Sequence, residues 1–394
     1  MSNNENIIII GAGQAGGMVA ILLRKRGFKG KITLIGEEGL LPYERPPLSK
    51  SYLTEEIDFK RLHLRSQKFF EDNEIKLISG TKIDEIDRNK NFVNLEDGRN
   101  FSYTKLIIAT GSKYKKLPIE PSKKINYLRN KSEADKIKSY LSKSKSVLII
   151  GSGYIGLELA AVSIEKKLDT SMIELTNRVM NRSVSDITSD FFYNRHAEEG
   201  VNILFESKVE KLTEKNKIIE AHLYNRETII TDFLIIGIGV EPRIKLAENA
   251  GLSCKDGITV DKNCRTSDKN IFAIGDCSNQ YNYYFNGNIR LESVDNAVNQ
   301  AKIVAAYLTN SPIDYKNVPW FWTKQYNLNL QIAGFIKENY QKKIVGSIER
   351  NKFAVYHVHN HKLQAVEAVN SPKSFIRGKK LIKSEEIITD EMLV

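Results

Sequence analysis

The feature that most constrains this chain is a strand–glycine–helix unit that occurs twice, with first glycines 140 residues apart. The first copy runs from an all-isoleucine stretch at 7–10 into Gly11-x-Gly13-x-x-Gly16, an apolar helix around 18–23 and a second strand at 31–35. The second copy runs from 147–150 into Gly151-x-Gly153-x-x-Gly156, a helix at 157–165 and a strand at 170–173. A continuous apolar strand, a glycine turn and a helix-period segment together read as a βαβ unit. Such glycines serve a tight turn, close backbone approach to a pyrophosphate, and close helix–strand packing. The helix N-terminus then offers unpaired N–H groups and a positive dipole end to the phosphates.

A carboxylate about twenty residues further on should grip ribose hydroxyls. Glu37 stands 21 positions after Gly16, and Glu174 stands 18 after Gly156, each just past a predicted strand. Two full motifs with two placed acids predict two dinucleotide sites. Further buried-strand runs end abruptly in glycine: 106–109 before Thr110-Gly111, 233–236 before Gly237-Ile238-Gly239, and 271–274 before Gly275-Asp276. Each is a point where the chain should leave a sheet beside a ligand.

The chain of 394 residues is long enough for two or three domains, and its 41% hydrophobic and 27% charged content is that of ordinary globular protein. Its three cysteines, Cys254, Cys264 and Cys277, form no C-x-x-C pair, which points to a reducing cytoplasm. The apolar stretch from 7 to 23 follows a leader without a basic residue and contains four glycines, so neither a signal peptide nor a membrane span is expected. The net charge of +11 is compatible with compositional drift or with an acidic partner. No helix–turn–helix, zinc-finger or aromatic–basic signature accompanies it, so nucleic acid is not expected. No metal site is expected either.

Residues 41–50, Leu-Pro-Tyr-Glu-Arg-Pro-Pro-Leu-Ser-Lys, are stiffened by three prolines, which should keep the loop off helix until Leu48 and place Lys50 at the start of the next helix. This segment, both glycine motifs, Ala109-Thr110-Gly111, Gly275-Asp276, Leu291-Glu292-Ser293-Val294 and Pro319-Trp320-Phe321-Trp322 together resemble the FAD-dependent NADH:ferredoxin reductases of the putidaredoxin-reductase type, over nearly the whole chain.

The resemblance implies an α/β fold with two Rossmann-type dinucleotide-binding domains, one for FAD and one for NAD, plus a C-terminal α+β domain. The FAD domain would comprise 1–113 and 241–314, the NAD domain 114–240 and the C-terminal domain 315–394. On the FAD side it implies roles for Gly11, Gly13, Ala15, Gly16, Arg45 and Ala109, with Glu37 on the adenosine ribose and Lys50 beside flavin N5. Ile83 and Arg129 match further FAD contacts, Asp276 the ribityl chain, Val294 the pyrimidine edge of the flavin, and Trp322 the flavin's border or the domain core. On the NAD side it implies Gly151, Gly153, Tyr154, Ile155, Gly156, Glu174 and Gly239, with Glu158 pairing with Lys50. Glu174 would favour NADH by repelling a 2′-phosphate, while Arg178 pulls the other way.

The chain differs from the family pattern at Thr323-Lys324, where Ser-Asp is usual, at Lys113-Tyr114-Lys115, where a Pro-Arg pair is often found, and at Asp295, where proline is usual. Related flavoenzymes that reduce disulfides need a dithiol near the flavin, in the first fifty or so residues, whereas the first cysteine here is Cys254. Electrons are therefore expected to leave singly, to a one-electron metal carrier. The resemblance implies that it is a two-iron two-sulfur ferredoxin serving a monooxygenase or dioxygenase, and the basic surface points to an acidic one. The 13 Lys and Arg against 8 Asp and Glu from 310 to 394, Lys324 among them, are the candidate docking charges. Rubredoxin, a quinone or a small radical is the alternative acceptor, and a redox-sensing flavoprotein that binds nucleic acid or protein is the alternative of another class.

Overall fold

A strand buried on both faces needs apolar residues at every position. Ile7, Ile8 and Ile9 are each at most 1% exposed in strand Asn6–Ile10. The computed structural model describes residues 5–215, 218–313 and 316–393. The expected boundary between 314 and 315 lies outside the described residues. The chain divides into two compact units. The first takes in Met1–Arg45, Phe59–Lys113 and Glu241–Pro319. The second takes in Pro46–Asp58, Tyr114–Val240 and Trp320–Val394.

In the first unit a five-stranded parallel sheet runs in the order Ile271–Ala273, Lys105–Ile108, Asn6–Ile10, Lys31–Gly36, Ile75–Ser79. Strand Asn6–Ile10 lies centrally, so the glycine turn that follows it opens at the carboxyl edge of the sheet, where open α/β sheets bind ligands. Helix Gln14–Lys25 follows, with Val19, Ala20, Ile21 and Leu23 packed into the core and the basic Arg24 and Lys25 in its last turn, where they complement the helix dipole. Helix Val294–Leu308 packs against it. A three-stranded antiparallel sheet that begins at Ile83–Asp87 and a four-stranded sheet that includes Gly257–Val260 complete the unit.

The second unit repeats the parallel sheet in the order Asn202–Leu204, Asp169–Ile173, Ser146–Ile150, Phe233–Ile236, Ile125–Asn126. Its helix Tyr154–Glu165 is buried along most of its length. The same unit carries a five-stranded antiparallel sheet, Trp320–Gln325, Leu328–Gly334, Lys362–Val369, Lys352–His359, Gln341–Ser347. Helix Pro372–Ser384 lies against it, and Gly378 lets the two approach, since a Cβ there would stand 2.6 Å from Val366 Cγ1.

Strand Lys352–His359 is buried at six consecutive positions rather than alternating. The reason is a second covering layer: Phe191 of helix Asp186–Glu198 meets the Phe353 ring with centroids 5.0 Å apart. That packing explains why the C-terminal sheet clusters with the second parallel sheet. Among the described residues no helix is long and apolar enough to cross a membrane.

One local expectation is corrected. Lys50 does not start a helix; it follows a short 3-10 turn, Pro46–Ser49, and its own N–H closes onto the Pro47 carbonyl. Adjacent prolines fit a first helical turn because they have no N–H to leave unpaired, so the turn tightens there instead of waiting for Leu48.

Candidate functional site

In the first unit the glycine turn is built to bring backbone close. Gly11 has φ +106°, and a side chain there would collide with the Ala109 carbonyl; one at Gly16 would collide with the Gly11 carbonyl. Gly13 differs. Its φ of −86° suits any residue, and among the described residues a Cβ there would find only Arg45 Nη2, at 3.8 Å. Gly13 caps helix Gln14–Lys25 without any side-chain hydrogen bond, and the first turn contains no acid. Open space, helix N–H groups and a guanidinium thus converge, as an anionic diphosphate requires. Arg45 is held by Glu38, Nη2 to Oε1 at 2.5 Å, and lies over the Tyr43 ring. Ala15 is buried in the first turn beside these groups, and the Gln14 side-chain oxygen is buried without a hydrogen-bond partner among the described residues.

Four further predicted residues gather in this unit. Asp276 sits in the 3-10 turn Gly275–Cys277 and accepts from Ser112 Oγ at 2.9 Å. Val294 opens its helix behind the Ser293 cap, whose Oγ accepts from Asn296 N at 3.0 Å. Ile83 is half-buried at the start of its strand. The Glu37 carboxylate is paired with Arg243, an arginine 206 positions away that the sequence reading did not anticipate. Arg129 falls in the second unit, where its N–H donates to Glu133 Oε2 at 2.7 Å beside the capping box of helix Lys131–Leu141.

The second unit repeats the cradle. Gly151 has φ +100°, and a Cβ there would stand 2.6 Å from the Gly237 carbonyl oxygen; one at Gly156 would strike the Gly151 carbonyl. A Cβ built at Gly153, the cap of helix Tyr154–Glu165, would meet no other element within 4 Å among the described residues, and the cap makes no side-chain hydrogen bond. Ile155 is 41% exposed on the first turn, and Tyr154 leans on Phe321 with ring centroids 4.5 Å apart. Gly239, with φ +101°, lies near the Arg182 guanidinium.

Glu174 is fixed by four donors: Ser152 N and Oγ at 2.8 and 2.7 Å, and Thr176 N and Oγ1, both at 2.9 Å. Burial alone would raise its pKa, but these bonds outweigh it and hold the carboxyl below its ordinary value. Two donors on each oxygen fill the roughly four acceptor sites of the carboxylate, so a ribose hydroxyl would bind by sharing or displacing one of them. The Arg178 guanidinium is turned to its own loop, donating to Val184 O at 2.9 Å and Asn181 O at 3.1 Å.

A charged cluster lies in the same unit. Lys50 Nζ is 2.7 Å from Glu158 Oε2, and Glu158 is only 3% exposed. Ser49 Oγ donates to that same oxygen, while Thr323 Oγ1 donates to the other, Oε1, at 2.6 Å. Sequence proximity could have suggested Ser49. No local signal pointed to Thr323, 165 positions from Glu158. Trp322 is half-buried in the adjoining strand, with its ring 5.3 Å from that of Trp320, which in turn packs on Phe375 at 5.6 Å.

Residues 5–301 match the model of a family described as pyridine nucleotide-disulphide oxidoreductase, and 320–394 match one described as reductase C-terminal. The chain belongs to the pyridine nucleotide-disulphide oxidoreductase family. It is 39% identical to rhodocoxin reductase of Rhodococcus erythropolis, over 98% of this chain and 91% of that protein. It is 36% identical to a rubredoxin-NAD(+) reductase of Pseudomonas putida, over 93% of this chain and 96% of that one. Among solved structures, the reductase in a covalent putidaredoxin reductase–putidaredoxin complex superposes with a TM-score of 0.95 at 32% identity, covering 100% of this chain and 96% of that chain.

As a member of this oxidoreductase family the protein is an NAD(P)H-dependent oxidoreductase that uses FAD and NAD(P)H. Its two cradles fit two dinucleotides, since at each the capping glycine leaves room for backbone approach and the helix end lacks a side-chain cap. The disulphide of the family's description has no counterpart here. Cys264 and Cys277 are buried, Cys254 is half-buried, and all three are free thiols. Burial raises the pKa of all three, which suppresses the reactive thiolate.

Proposed function

We propose that this enzyme uses NADH to reduce a two-iron two-sulfur ferredoxin that serves a monooxygenase or dioxygenase. The observation that carries the reading is the Lys50–Glu158 pair: an ammonium held in place by a buried carboxylate, in a chain whose first cysteine is Cys254. Bound FAD and NADH supply the hydride and one-electron chemistry; the protein binds, orients and sets charge. The FAD domain is assigned to 1–113 and 241–314, the NAD domain to 114–240 and the C-terminal domain to 315–394.

On this reading Gly11, Gly13, Ala15, Gly16 and Arg45 receive the FAD diphosphate, with Ala109 at the neighbouring strand end. Glu37 takes the adenosine ribose and Asp276 the ribityl chain, while Ile83, Arg129 and Trp322 are further flavin contacts. Val294 presents its N–H, at a helix N-terminus, to the pyrimidine edge, where the positive dipole end favours negative charge. Lys50 stabilises negative charge at N5, and Glu158 holds the ammonium in place. Gly151, Gly153, Tyr154, Ile155, Gly156, Glu158, Glu174 and Gly239 receive the nicotinamide dinucleotide. The ionised Glu174 favours NADH over NADPH, and the engagement of Arg178 with its own loop supports that preference.

The free, largely buried thiols support single-electron exit to a metal carrier and a reducing cytoplasmic setting. The ferredoxin partner is supported by the likeness to the covalent putidaredoxin reductase–putidaredoxin complex, and its acidic character by the exposed Lys324 and the basic excess of the C-terminal region. The test is reduction of an acidic ferredoxin, a rubredoxin and ferricyanide at low and high ionic strength, for wild type and Lys324→Asp. The ferredoxin rate should fall with salt and with the charge reversal, while ferricyanide turnover changes little. Preference for rubredoxin would move the assignment to the alternative acceptor. Indifference of the ferredoxin rate to both changes would remove the basic docking face.

A further inference from the structure

A buried hydrogen-bonded string leads away from the Lys50–Glu158 pair. Thr323 Oγ1 donates to Glu158 Oε1 at 2.6 Å, Gln325 Nε2 donates to Thr323 Oγ1 at 3.2 Å, His196 Nε2 meets Gln325 Oε1 at 2.8 Å, and the Tyr326 hydroxyl meets His196 Nδ1 at 3.0 Å. Thr323, Gln325 and His196 are each at most 1% exposed. Glu158, His196 and the pair Thr323 and Gln325 lie on three separate elements of the second unit, and Tyr326 lies in the turn that follows the strand.

The direction of every bond in the string follows from its charged end. As the partner of an ammonium, the Glu158 carboxylate can only accept. Thr323 must therefore spend its single proton on Glu158, so its oxygen must accept from Gln325. That turns the amide's NH2 toward Thr323 and its oxygen toward His196. The oxygen in turn requires a proton on His196 Nε2, which leaves Nδ1 bare to accept from Tyr326. One tautomer and one amide orientation satisfy the whole string. An amide in its middle cannot hand a proton along, so the string orients and polarises but does not conduct.

Two further observations agree. Burial holds the His196 pKa down to about 4, so the ring is neutral at working pH, as a bare Nδ1 demands. Tyr326 adopts φ +53°, a left-handed conformation uncommon for a tyrosine, in the turn between two strands of the C-terminal sheet. Its ring faces the Arg195 guanidinium, 5.4 Å from carbon to centroid, next to the Arg195–Glu199 ion pair.

We propose that Thr323, Gln325 and His196 are positioning residues for the Lys50–Glu158 pair, a one-way string that anchors Glu158 by the oxygen Lys50 does not use. The inference rests on the reading that Lys50 serves hydride transfer to the flavin. A string kept only for stability would be poorly chosen, because apolar residues of similar volume commonly serve a core as well or better. Its placement has a specific effect instead. With Oε1 held by Thr323, and Oε2 shared between Ser49 and Lys50, the carboxylate plane cannot rotate and the ammonium has one address.

The experiment uses the FAD-loaded enzyme as wild type, Thr323→Val, which keeps the volume and removes the hydroxyl, and Thr323→Ser, which restores it. Flavin reduction by NADH, followed by rapid mixing, should be about tenfold slower in Thr323→Val and within about twofold of wild type in Thr323→Ser. Independently, nitrogen-15 NMR should find the His196 ring as the Nε2–H tautomer in the wild type. Equal rates for wild type and Thr323→Val would overturn the proposal. So would a serine variant as slow as the valine one, or an Nδ1–H tautomer. A wild type that NADH does not reduce at all would instead overturn the functional reading, and the tautomer would still decide whether the string runs as derived.

Discussion

Lys50 Nζ and Glu158 Oε2 stand 2.7 Å apart, with the lysine one-fifth exposed and the carboxylate almost sealed. A lysine that stays one-fifth exposed avoids part of the desolvation that makes fully buried ion pairs costly. It is well suited to hold a positive charge at a fixed point while leaving its outer side open.

Removing that charge should slow the chemical step more than binding. In Lys50→Met the rate of flavin reduction by NADH should drop about 10- to 100-fold, with the apparent affinity for NADH changed much less. Rapid-mixing kinetics over a range of NADH concentrations would separate the two. A variant that loses affinity alone would take Lys50 out of the charge-stabilising role.

Gly11 and Gly13, two positions apart, should fail differently. Gly11→Ala must adopt a φ near +106° and push into the Ala109 carbonyl, so it should be destabilised by about 2 kcal/mol or more whether or not flavin is present. Gly13→Val meets no such obstacle in the protein and should fold with near-normal thermal stability, yet purify with little FAD. The flavin-to-protein absorbance ratio and a thermal melt report the two effects. A Gly13→Val protein with full flavin content would contradict the first cradle's assignment.

The cysteines should be spectators. In the native enzyme a thiol reagent such as DTNB should titrate at most one of the three, Cys254, and all three only in denaturant. The triple Cys→Ser variant should keep most of its NADH-to-ferricyanide activity. Loss of flavin reoxidation in a folded, flavin-bound triple variant would restore a thiol mechanism.

His196 ties stability to pH. Desolvation, aided by Arg195 and opposed by the Gln325 hydrogen bond, lowers its pKa from 6.5 to about 4 in the folded state. Between those values the unfolded chain binds a proton that the folded chain refuses, so stability rises with pH. The full contribution is present above about pH 6.5, and about 2 kcal/mol of it should be gone by pH 5. Urea unfolding of wild type and His196→Gln at pH 7.5 and 5 would check this. The variant should lose less stability on acidification, and parallel losses would place the acid sensitivity elsewhere.

Features that neighbouring residues encode can be read directly from the chain. Ile7–Ile10 followed by Gly11-x-Gly13-x-x-Gly16, and the second copy at Gly151, are legible because a strand, a turn and a helix each depend on residues within a few positions of one another. Glu174 was legible for the same reason, since it ends the next strand of its own βαβ unit. Even there the turn at Pro46–Ser49 escaped, because two prolines suit a tight first turn as well as an extended loop. Folding alone brings Arg243 to Glu37, Ser112 to Asp276, and Thr323, Gln325 and His196 into line behind Glu158. Those partners sit on elements far apart in the chain, and single polar residues of this kind carry no periodicity. Their identity as partners is created when the sheets bury them, since a buried polar group must find a hydrogen bond and takes it from whatever element the fold brings within reach.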